Sequence, residues 1–555
     1  MTTYWWKNAI IYQIYPKSFK DTNADGIGDI QGIIDSLPYI KSLGVNTLWL
    51  NPIFISPQID NGYDVSNYYA IDELFGSLAD VEQLIAEAHA LDLKIIFDLV
   101  LNHTSNQHPW FQEALKGPDN MYRDYYLWTD APSDGTLPNN WASFFGGSVW
   151  EKDATSNQFY FHLFAKEMPD LNWKNPEVQK AMVDMAKFWL SKGIDGFRLD
   201  AFIHMIKADF ALNVTGVPIG EIAIAEEYYA NLPEVKVYLE AFIQELREVK
   251  PDIFIVGEAA SATPDLALDY IGENLCSTVI SFDHIKDREI SGNSLIPSGL
   301  GDKTLHVPDF KERMSDWQSQ LIQGVQPTLY WNNHDMPRLV SRFGDEKNYR
   351  TASCQSLAVA MYLLRGIPVI LYGEEIGMKN VKIDTIEAFQ DPMAKQYYQQ
   401  LVTNGFTNED SLRMIASINK EASRGGMQWD DTTYAGFSTV PCWSGVNVEK
   451  DYNVAAESEN ENSVLAFYQE LLRLKKDDIF QLGETEFIDT EDTLIAYKRI
   501  LLDEEAIVVC HVATEPTDVP LWLRELDNTY QVVFGTFNHH KDDIMQPYDY
   551  LVLSK

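Results

Sequence analysis

The sequence predicts an α/β fold: a (β/α)8 TIM barrel with a small domain inserted after strand 3 and a C-terminal antiparallel β domain. Three observations predict it. Eight short apolar runs alternate with helix-like segments from residue 8 to about residue 375. Acidic residues stand just past several of those runs, where a barrel gathers its functional groups. Beyond residue 478 the pattern changes to short alternating segments, as in antiparallel strands.

The runs cover residues 9–14, 47–50, 94–99, 196–199, 253–256, 278–282, 328–331 and 368–371. Each is nearly continuous in apolar residues, as strands covered on both faces must be. Helices are expected at 77–90, 176–192 and 349–365. In the second of these, Val178, Met182, Met185, Phe188 and Trp189 share one face, and Gly193 supplies the stop. About 75 residues rich in Trp, Gly, Asn and Pro separate the third run from Pro176. A structureless loop of that length is uncommon, so it reads as a small folded insertion. The barrel is expected over 1–103 and 172–477, the insert over 104–171, and a β-sandwich over 478–555 with strands near 493–500, 506–511, 530–534 and 550–553. The polar, acidic stretch 447–462 reads as a surface loop.

With 82 acidic and 43 basic residues the net charge is −39, which repels nucleic acid and anionic membranes and suits a neutral ligand. Cys276, Cys354, Cys442 and Cys510 are far apart and outside metal-binding spacings, so free thiols are expected. The first residues lack an apolar signal core, and no run approaches the ~20 apolar residues of a membrane span. The expectation is a cytoplasmic protein, monomeric or a weak homo-oligomer, with no nucleic-acid or membrane partner and no organic cofactor. Its many tyrosines and tryptophans include loop residues suited to stacking on sugar rings.

Asp200 ends the fourth run and Glu258 the fifth, while Asp335 follows the seventh. Glycoside cleavage with retention needs a carboxylate nucleophile and an acid/base about 5–5.5 Å apart, which neighbouring strand ends can supply. Arg198, two residues before Asp200, shares its face of the strand. A fixed cation there would keep Asp200 ionised and nucleophilic. Glu258 must carry a proton for the leaving oxygen, and carboxylates crowded into one pocket favour keeping one protonated. Asp335 could hold sugar hydroxyls as the ring becomes oxocarbenium-like.

Four segments together resemble the motif set of the α-amylase family of glycoside hydrolases, family 13. They are Asp98-Leu-Val-Leu-Asn-His103, Gly196-Phe-Arg-Leu-Asp-Ala201, Val256-Gly-Glu258 and Asn333-His-Asp335. The resemblance implies Asp200 as nucleophile, Glu258 as acid/base and Asp335 as transition-state stabiliser. It implies that His103 and His334 bond the sugar and that Arg198 supports Asp200. Asn61-Gly-Tyr-Asp64 resembles the family segment in which Tyr63 stacks under the sugar and Asp64 binds its hydroxyls. Arg424 looks like the arginine that pairs with that aspartate, although Gly425 and Gly426 depart from the usual Thr-Pro. Phe145 and Phe164 are expected to wall the pocket, and a pocket closed beyond the non-reducing end implies exo action.

Met168-Pro-Asp-Leu-Asn-Trp173, Tyr372-Gly-Glu-Glu and Met427-Gln-Trp429 are similar to the oligo-1,6-glucosidase and α-glucosidase group. That group implies an exo-acting, retaining α-glucosidase for short isomalto- or malto-oligosaccharides, with transglycosylation open to it. Ala201, directly after the nucleophile, leaves more acceptor room than the valine that accompanies α-1,6 cleavage. A trehalose-6-phosphate hydrolase, a sucrose isomerase or glucosyltransferase, and a non-catalytic sugar-binding or scaffold relative are the alternatives.

A second motif is Asp21-Thr-Asn-Ala-Asp-Gly-Ile-Gly-Asp29. Oxygen ligands from Asp21, Asn23 and Asp25, the carbonyl of Ile27 and the carboxylate of Asp29 follow the EF-hand spacing of calcium ligation, but Gly32 stands where that loop has its last glutamate. A structural calcium, or magnesium, is expected, and the loop resembles a structural calcium site of the same α-glucosidases.

Overall fold

The computed structural model describes residues 4–285, 287–289, 295–296, 300, 303–320 and 326–555. All eight apolar runs are strands: β1 (Ile11–Ile14), β2 (Thr47–Leu50), β3 (Lys94–Val100), β4 (Gly196–Asp200), β5 (Phe254–Glu258), β6 (Thr278–Ile280), β7 (Thr328–Leu329) and β8 (Ile367–Leu371). They form one sheet in the order β6-β5-β4-β3-β2-β1-β8-β7. The pairings β1–β8, β3–β4, β4–β5, β5–β6 and β7–β8 are parallel. Every residue of β1, β2, β4 and β8 is buried, as strands covered on both faces must be. The expected helices lie at Leu78–Ala90, Pro176–Ser191 and Arg350–Tyr362. On the second, Val178, Met182, Met185 and Trp189 are buried, whereas Phe188 is half-buried and meets the Tyr69 ring edge-on.

The chain divides into two compact units, one of Trp49–His89 and Lys94–Ser281, the other of Met1–Leu48, Ala90–Leu93 and Phe282–Lys555. In the first unit, the segment after β3 folds as a three-stranded antiparallel sheet of Trp128–Asp130, Gln158–Phe161 and Trp150–Lys152. Trp141, Val149, Trp150, Phe159 and Phe161 form its core, joined by Phe210, Tyr228 and Tyr229 from beyond β4. The insert therefore shares one core with the chain that follows Asp200. Its entry and exit are zipped together: Leu171 donates to the Asn102 carbonyl at 2.9 Å, and Asn106 to the Glu167 carbonyl at 2.7 Å.

In the second unit, the C-terminal region carries β9 (Glu484–Phe487), β10 (Leu494–Leu501), β11 (Glu504–His511), β12 (Gln531–Gly535) and β13 (Tyr550–Ser554). These pair antiparallel in the order β9-β10-β11-β13-β12. Two helices, Pro392–Thr403 and Asn408–Ala416, bury Ala394, Leu401, Met414 and Ile415 with Leu300 and Phe389 and have no counterpart in the sequence reading. The acidic stretch 447–462 is more than a surface loop. It holds the helix Val454–Ser458, and Glu449 is gripped by Arg350 at 2.7 and 2.8 Å and by Lys379 at 2.9 Å. Those cations outweigh its burial and hold the Glu449 carboxyl down to about 2. All four cysteines are free and buried. Among the described residues no helix is long and apolar enough to cross a membrane.

Just past β8, Glu374 is buried with its Oε1 accepting from Tyr362 at 2.5 Å and Tyr468 at 2.8 Å. Burial raises its carboxyl to about 7 against those hydrogen bonds. A raised folded value means the stabilising contribution is complete below the unfolded value of ~4.3 and is lost as pH rises through about 7. Glu374→Gln, which keeps an acceptor but cannot ionise, should therefore flatten the fall in thermal midpoint between about pH 5 and about pH 8. A wild-type slope unchanged by the substitution would contradict this.

Candidate active site

In the first unit, one cation organises the strand ends. Arg198 is 1% exposed, and its register partner across the β3–β4 pair is Asp98. Its Nη1 donates to Asp98 Oδ1 at 2.8 Å and to Asp200 Oδ1 at 2.5 Å, while Nη2 meets Glu258 Oε1 at 2.5 Å. Alternation along β4 puts Arg198 and Asp200 on one face. The β4–β5 register pairs Arg198 with Val256 and Leu199 with Gly257, and continuing it sets Glu258 opposite Asp200. Burial works against the guanidinium charge, but Asp98, Glu258 and Asp200 overcome it and hold Arg198 firmly protonated.

This corrects the expectation for Asp200. Burial raises its carboxyl well above the ordinary range, Arg198 pulls it back, and Glu258 and Asp98 push it up again. One cation is divided among three carboxylates, so it does not hold Asp200 low. Asp98 is likewise raised, to about 6, chiefly by burial. Such a cluster favours keeping one proton among its carboxylates.

Asp98 was quoted in a motif but given no role by sequence reasoning. Besides Arg198, its Oδ2 accepts from Tyr63 at 2.9 Å, Trp49 Nε1 at 3.2 Å and Asn51 at 3.3 Å. It therefore ties the expected stacking residue, Tyr63, to the same guanidinium. Ala201 has φ +49° and ψ +21°, a left-handed turn that is uncommon for a residue with a side chain. The turn sends its N–H to Glu258 Oε2 at 3.1 Å.

His103 is buried, with Nε2 3.3 Å from the Tyr63 carbonyl, and burial lowers its imidazole to about 4. A neutral ring that keeps one N–H is suited to a hydroxyl ligand. Phe164 stands beside it, ring centroids 5.2 Å apart, and Phe145 meets Phe164 edge-on at 5.6 Å.

Asp64 requires a correction. Its side chain is completely buried, and its carboxylate accepts from Ser56 Oγ at 2.8 Å, Ile59 N at 2.9 Å and Asp60 N at 3.0 Å. It shapes the loop and is not open to a sugar. Among the described residues no guanidinium pairs with it. The partly exposed acid on this loop is Asp60, a position the sequence reading passed over.

In the second unit, Arg424, Lys420 and His334 surround Asp335. Arg424 Nη2 donates to its Oδ1 at 3.0 Å, Lys420 Nζ is 3.6 Å from the same atom, and His334 Nε2 lies 3.2 Å from Oδ2. Arg424 Nε also donates to the His334 carbonyl at 2.7 Å. Gln13, at the end of β1, donates to His334 Nδ1 at 2.8 Å, which leaves the His334 proton on Nε2 facing Asp335. The expected partner of Arg424 was Asp64; here the arginine braces Asp335. The neighbouring Gly425 keeps this turn narrow, since a Cβ there would fall 2.1 Å from Val381 Cγ1.

The loop after β1 folds as successive side-chain turns. Asn23 N and Ala24 N donate to Asp21 Oδ1 at 3.0 and 2.8 Å, Asp25 N to Asn23 Oδ1 at 3.0 Å, and Ile27 N to Asp25 Oδ1 at 2.8 Å. Asp29 caps the next helix through Gly32 N at 2.7 Å and takes Thr22 N at 2.7 Å. Among the described residues no three His, Cys, Asp or Glu side chains gather into a metal cluster. The donors this loop offers are all oxygens, the chemistry that suits a hard cation.

An alpha-amylase catalytic-domain family model matches residues 13–483. The chain is 41% identical to an oligo-1,6-glucosidase of Halalkalibacterium halodurans over 93% of this chain and 92% of that one. It is 40% identical to a trehalose-6-phosphate hydrolase of Bacillus subtilis, over 91% of this chain and 89% of that one. Among solved structures, a family GH13_31 enzyme superposes with TM-score 0.89 at 44% identity, covering 100% of both chains.

Arg198→Lys should lower kcat/KM on an aryl α-glucoside by ~100-fold or more, because a point ammonium cannot serve three carboxylates as a planar fork does. Circular dichroism should show the fold retained. Activity within a fewfold of wild type would contradict the shared-cation account.

Proposed function

We propose that this chain, which belongs to the alpha-amylase family and is a glycoside hydrolase, is a retaining, exo-acting α-glucosidase of short oligosaccharides. The observation that carries the reading is the single guanidinium joining Asp200 and Glu258. Two carboxylates held by one guanidinium suit the close pairing, ~5–5.5 Å, that retaining enzymes use rather than the wider ~6.5–9.5 Å of inverting ones.

In this reading Asp200 attacks the anomeric carbon while Glu258 gives its proton to the departing oxygen. The proton kept among the clustered carboxylates is the one Glu258 delivers. Glu258 then takes a proton from water, or from an acceptor hydroxyl, as that oxygen displaces Asp200. Two displacements return the α configuration. Asp335, braced by Arg424 and His334, binds sugar hydroxyls more tightly as positive charge develops on the ring. Tyr63 stacks under the sugar, His103 and His334 donate to its hydroxyls, and Phe145 and Phe164 wall the pocket. Ala201 leaves room on the acceptor side. Similarity to oligo-1,6-glucosidases supports glucoside hydrolysis of short substrates.

Product analysis tests this. On maltose, isomaltose, kojibiose, nigerose, sucrose, trehalose 6-phosphate and panose, the enzyme should release α-glucose from the non-reducing end, with an α-linked disaccharide fastest. Asp200→Ala should lower kcat by ~10⁴-fold or more while leaving the thermal midpoint nearly unchanged. β-Glucose as first product, or substantial activity in the variant, would overturn the reading. Preference for trehalose 6-phosphate, or conversion of sucrose to an isomer, would move the chain to those activities.

We also assign a structural calcium, or magnesium, to Asp21, Asn23, Asp25, the Ile27 carbonyl and Asp29. What supports it is the hard oxygen donor set on a preformed turn sequence. Bound there, the cation would neutralise the acidic loop and stiffen it; the residues given chemical roles above lie outside it. Chelation should lower the thermal midpoint, and added calcium should restore it. An unchanged midpoint, with no metal in the purified protein by elemental analysis, would remove the assignment.

A further inference from the structure

Behind His103 lies a buried polar network to which the catalytic scheme assigns nothing. Asn102 and Asp170 are 0% exposed and Lys207 is 6% exposed. Lys207 Nζ donates to Asn102 Oδ1 at 2.8 Å, meets Asp170 Oδ2 at 2.6 Å, and donates to the His204 carbonyl. Asn102 Nδ2 donates to Asp170 Oδ2 at 2.8 Å and lies 3.3 Å from His103 Nδ1. Asp170 Oδ1 accepts from Leu163 N at 2.9 Å.

Donor and acceptor chemistry fixes every orientation here. An ammonium can only donate and a carboxylate can only accept. The Asn102 amide must therefore turn its oxygen to Lys207 and its nitrogen to Asp170. That nitrogen carries two hydrogens, and the second faces His103 Nδ1. Nδ1 must then be the bare, accepting nitrogen, and the ring proton sits on Nε2, at the Tyr63 side.

We propose that Lys207 is a positioning residue: its ammonium locks the Asn102 amide, and through it the Nε2–H tautomer and the orientation of His103, the ring expected to bind sugar. The proposal rests on the glucosidase reading for its consequence in catalysis, but the lock itself is a property of the free protein. Lys207 joins three parts of the chain at one point: the end of β3, the exit of the insert, and the segment after the nucleophile strand.

The titratable groups facing His103 within this unit are Asp170 from the insert, and Lys207 and His204 from the segment after β4. Burial is the main reason the His103 ring is lowered to about 4; Asp170 favours its charged form and Lys207 opposes that form. His204 is lowered to about 4 as well, with its Nδ1 2.9 Å from the Tyr229 carbonyl, so it adds no charge near neutrality. Without the ammonium, Asn102 is free to flip, and Asp170 faces the ring uncancelled. His103 then titrates at higher pH than in the wild type.

The test uses the full-length enzyme, ¹⁵N-labelled at histidine, with His103→Gln identifying the His103 signals. Wild type should show one Nε2–H tautomer near neutral pH. Lys207→Met should convert it to a mixture or a charged ring, move the acid limb of the kcat/KM profile to higher pH, and lower kcat/KM by about 10-fold or more. Lys207→Arg, which keeps a buried cation, should recover most of both. If Lys207→Met does not fold, Lys207→Met with Asp170→Asn removes both buried charges together and should still lose the single tautomer. Unchanged His103 signals and an unchanged pH profile in a folded variant would overturn the proposal. Absence of α-glucoside turnover by the wild type would instead refute the glucosidase reading, and the NMR signals would still decide the role of Lys207.

Discussion

The Arg198 guanidinium is the constraint on which the rest of the strand-end chemistry depends. A buried charge is tolerated only when paired and hydrogen-bonded, and this one is paired three times over. Its position is set by backbone register, since Asp98 faces it across β3–β4 and Val256 across β4–β5. Three carboxylates then share one positive charge. Burial chiefly, with the neighbouring carboxylates adding to it, raises Asp200 and Asp98 against the pull of that cation. The cation thus holds the expected nucleophile and acid/base together. A sequence that supplied the same carboxylates without the fork would leave them mutually repelling.

Within each unit, the histidine expected to bind sugar is set by an amide. Gln13 donates to His334 Nδ1 and Asn102 approaches His103 Nδ1, so each ring presents Nε2 as its N–H. Buried amides are used here as donors that face the accepting nitrogen of a ring. The insert contributes to this directly, because Asp170 at its exit closes the network behind His103.

The strands were legible because double burial leaves an unbroken apolar run, and the strand-end acids were legible because they interrupt one. Arg198 was legible by alternation. Gln13 was not, because a single amide inside an apolar run signals nothing by itself, and its partner is 321 residues away. The Asn102–Asp170–Lys207 network joins positions 68 and 105 residues apart, with no local periodicity to reveal it. Asp64 was misread for the opposite reason: its motif is local, but its carboxylate serves the N–H groups of its own turn. The helices Pro392–Thr403 and Asn408–Ala416 escaped notice because their apolar faces are short and interleaved with polar residues.

The central claim is that Asp200, held by Arg198 beside Glu258, forms the covalent intermediate. Incubating the enzyme with a fluorinated α-glucosyl fluoride that accumulates the glycosyl-enzyme, then digesting it and sequencing the peptides by mass spectrometry, tests this most directly. The account predicts one added sugar, located on Asp200. A label on another residue, or turnover with no covalent adduct at any time, would contradict it.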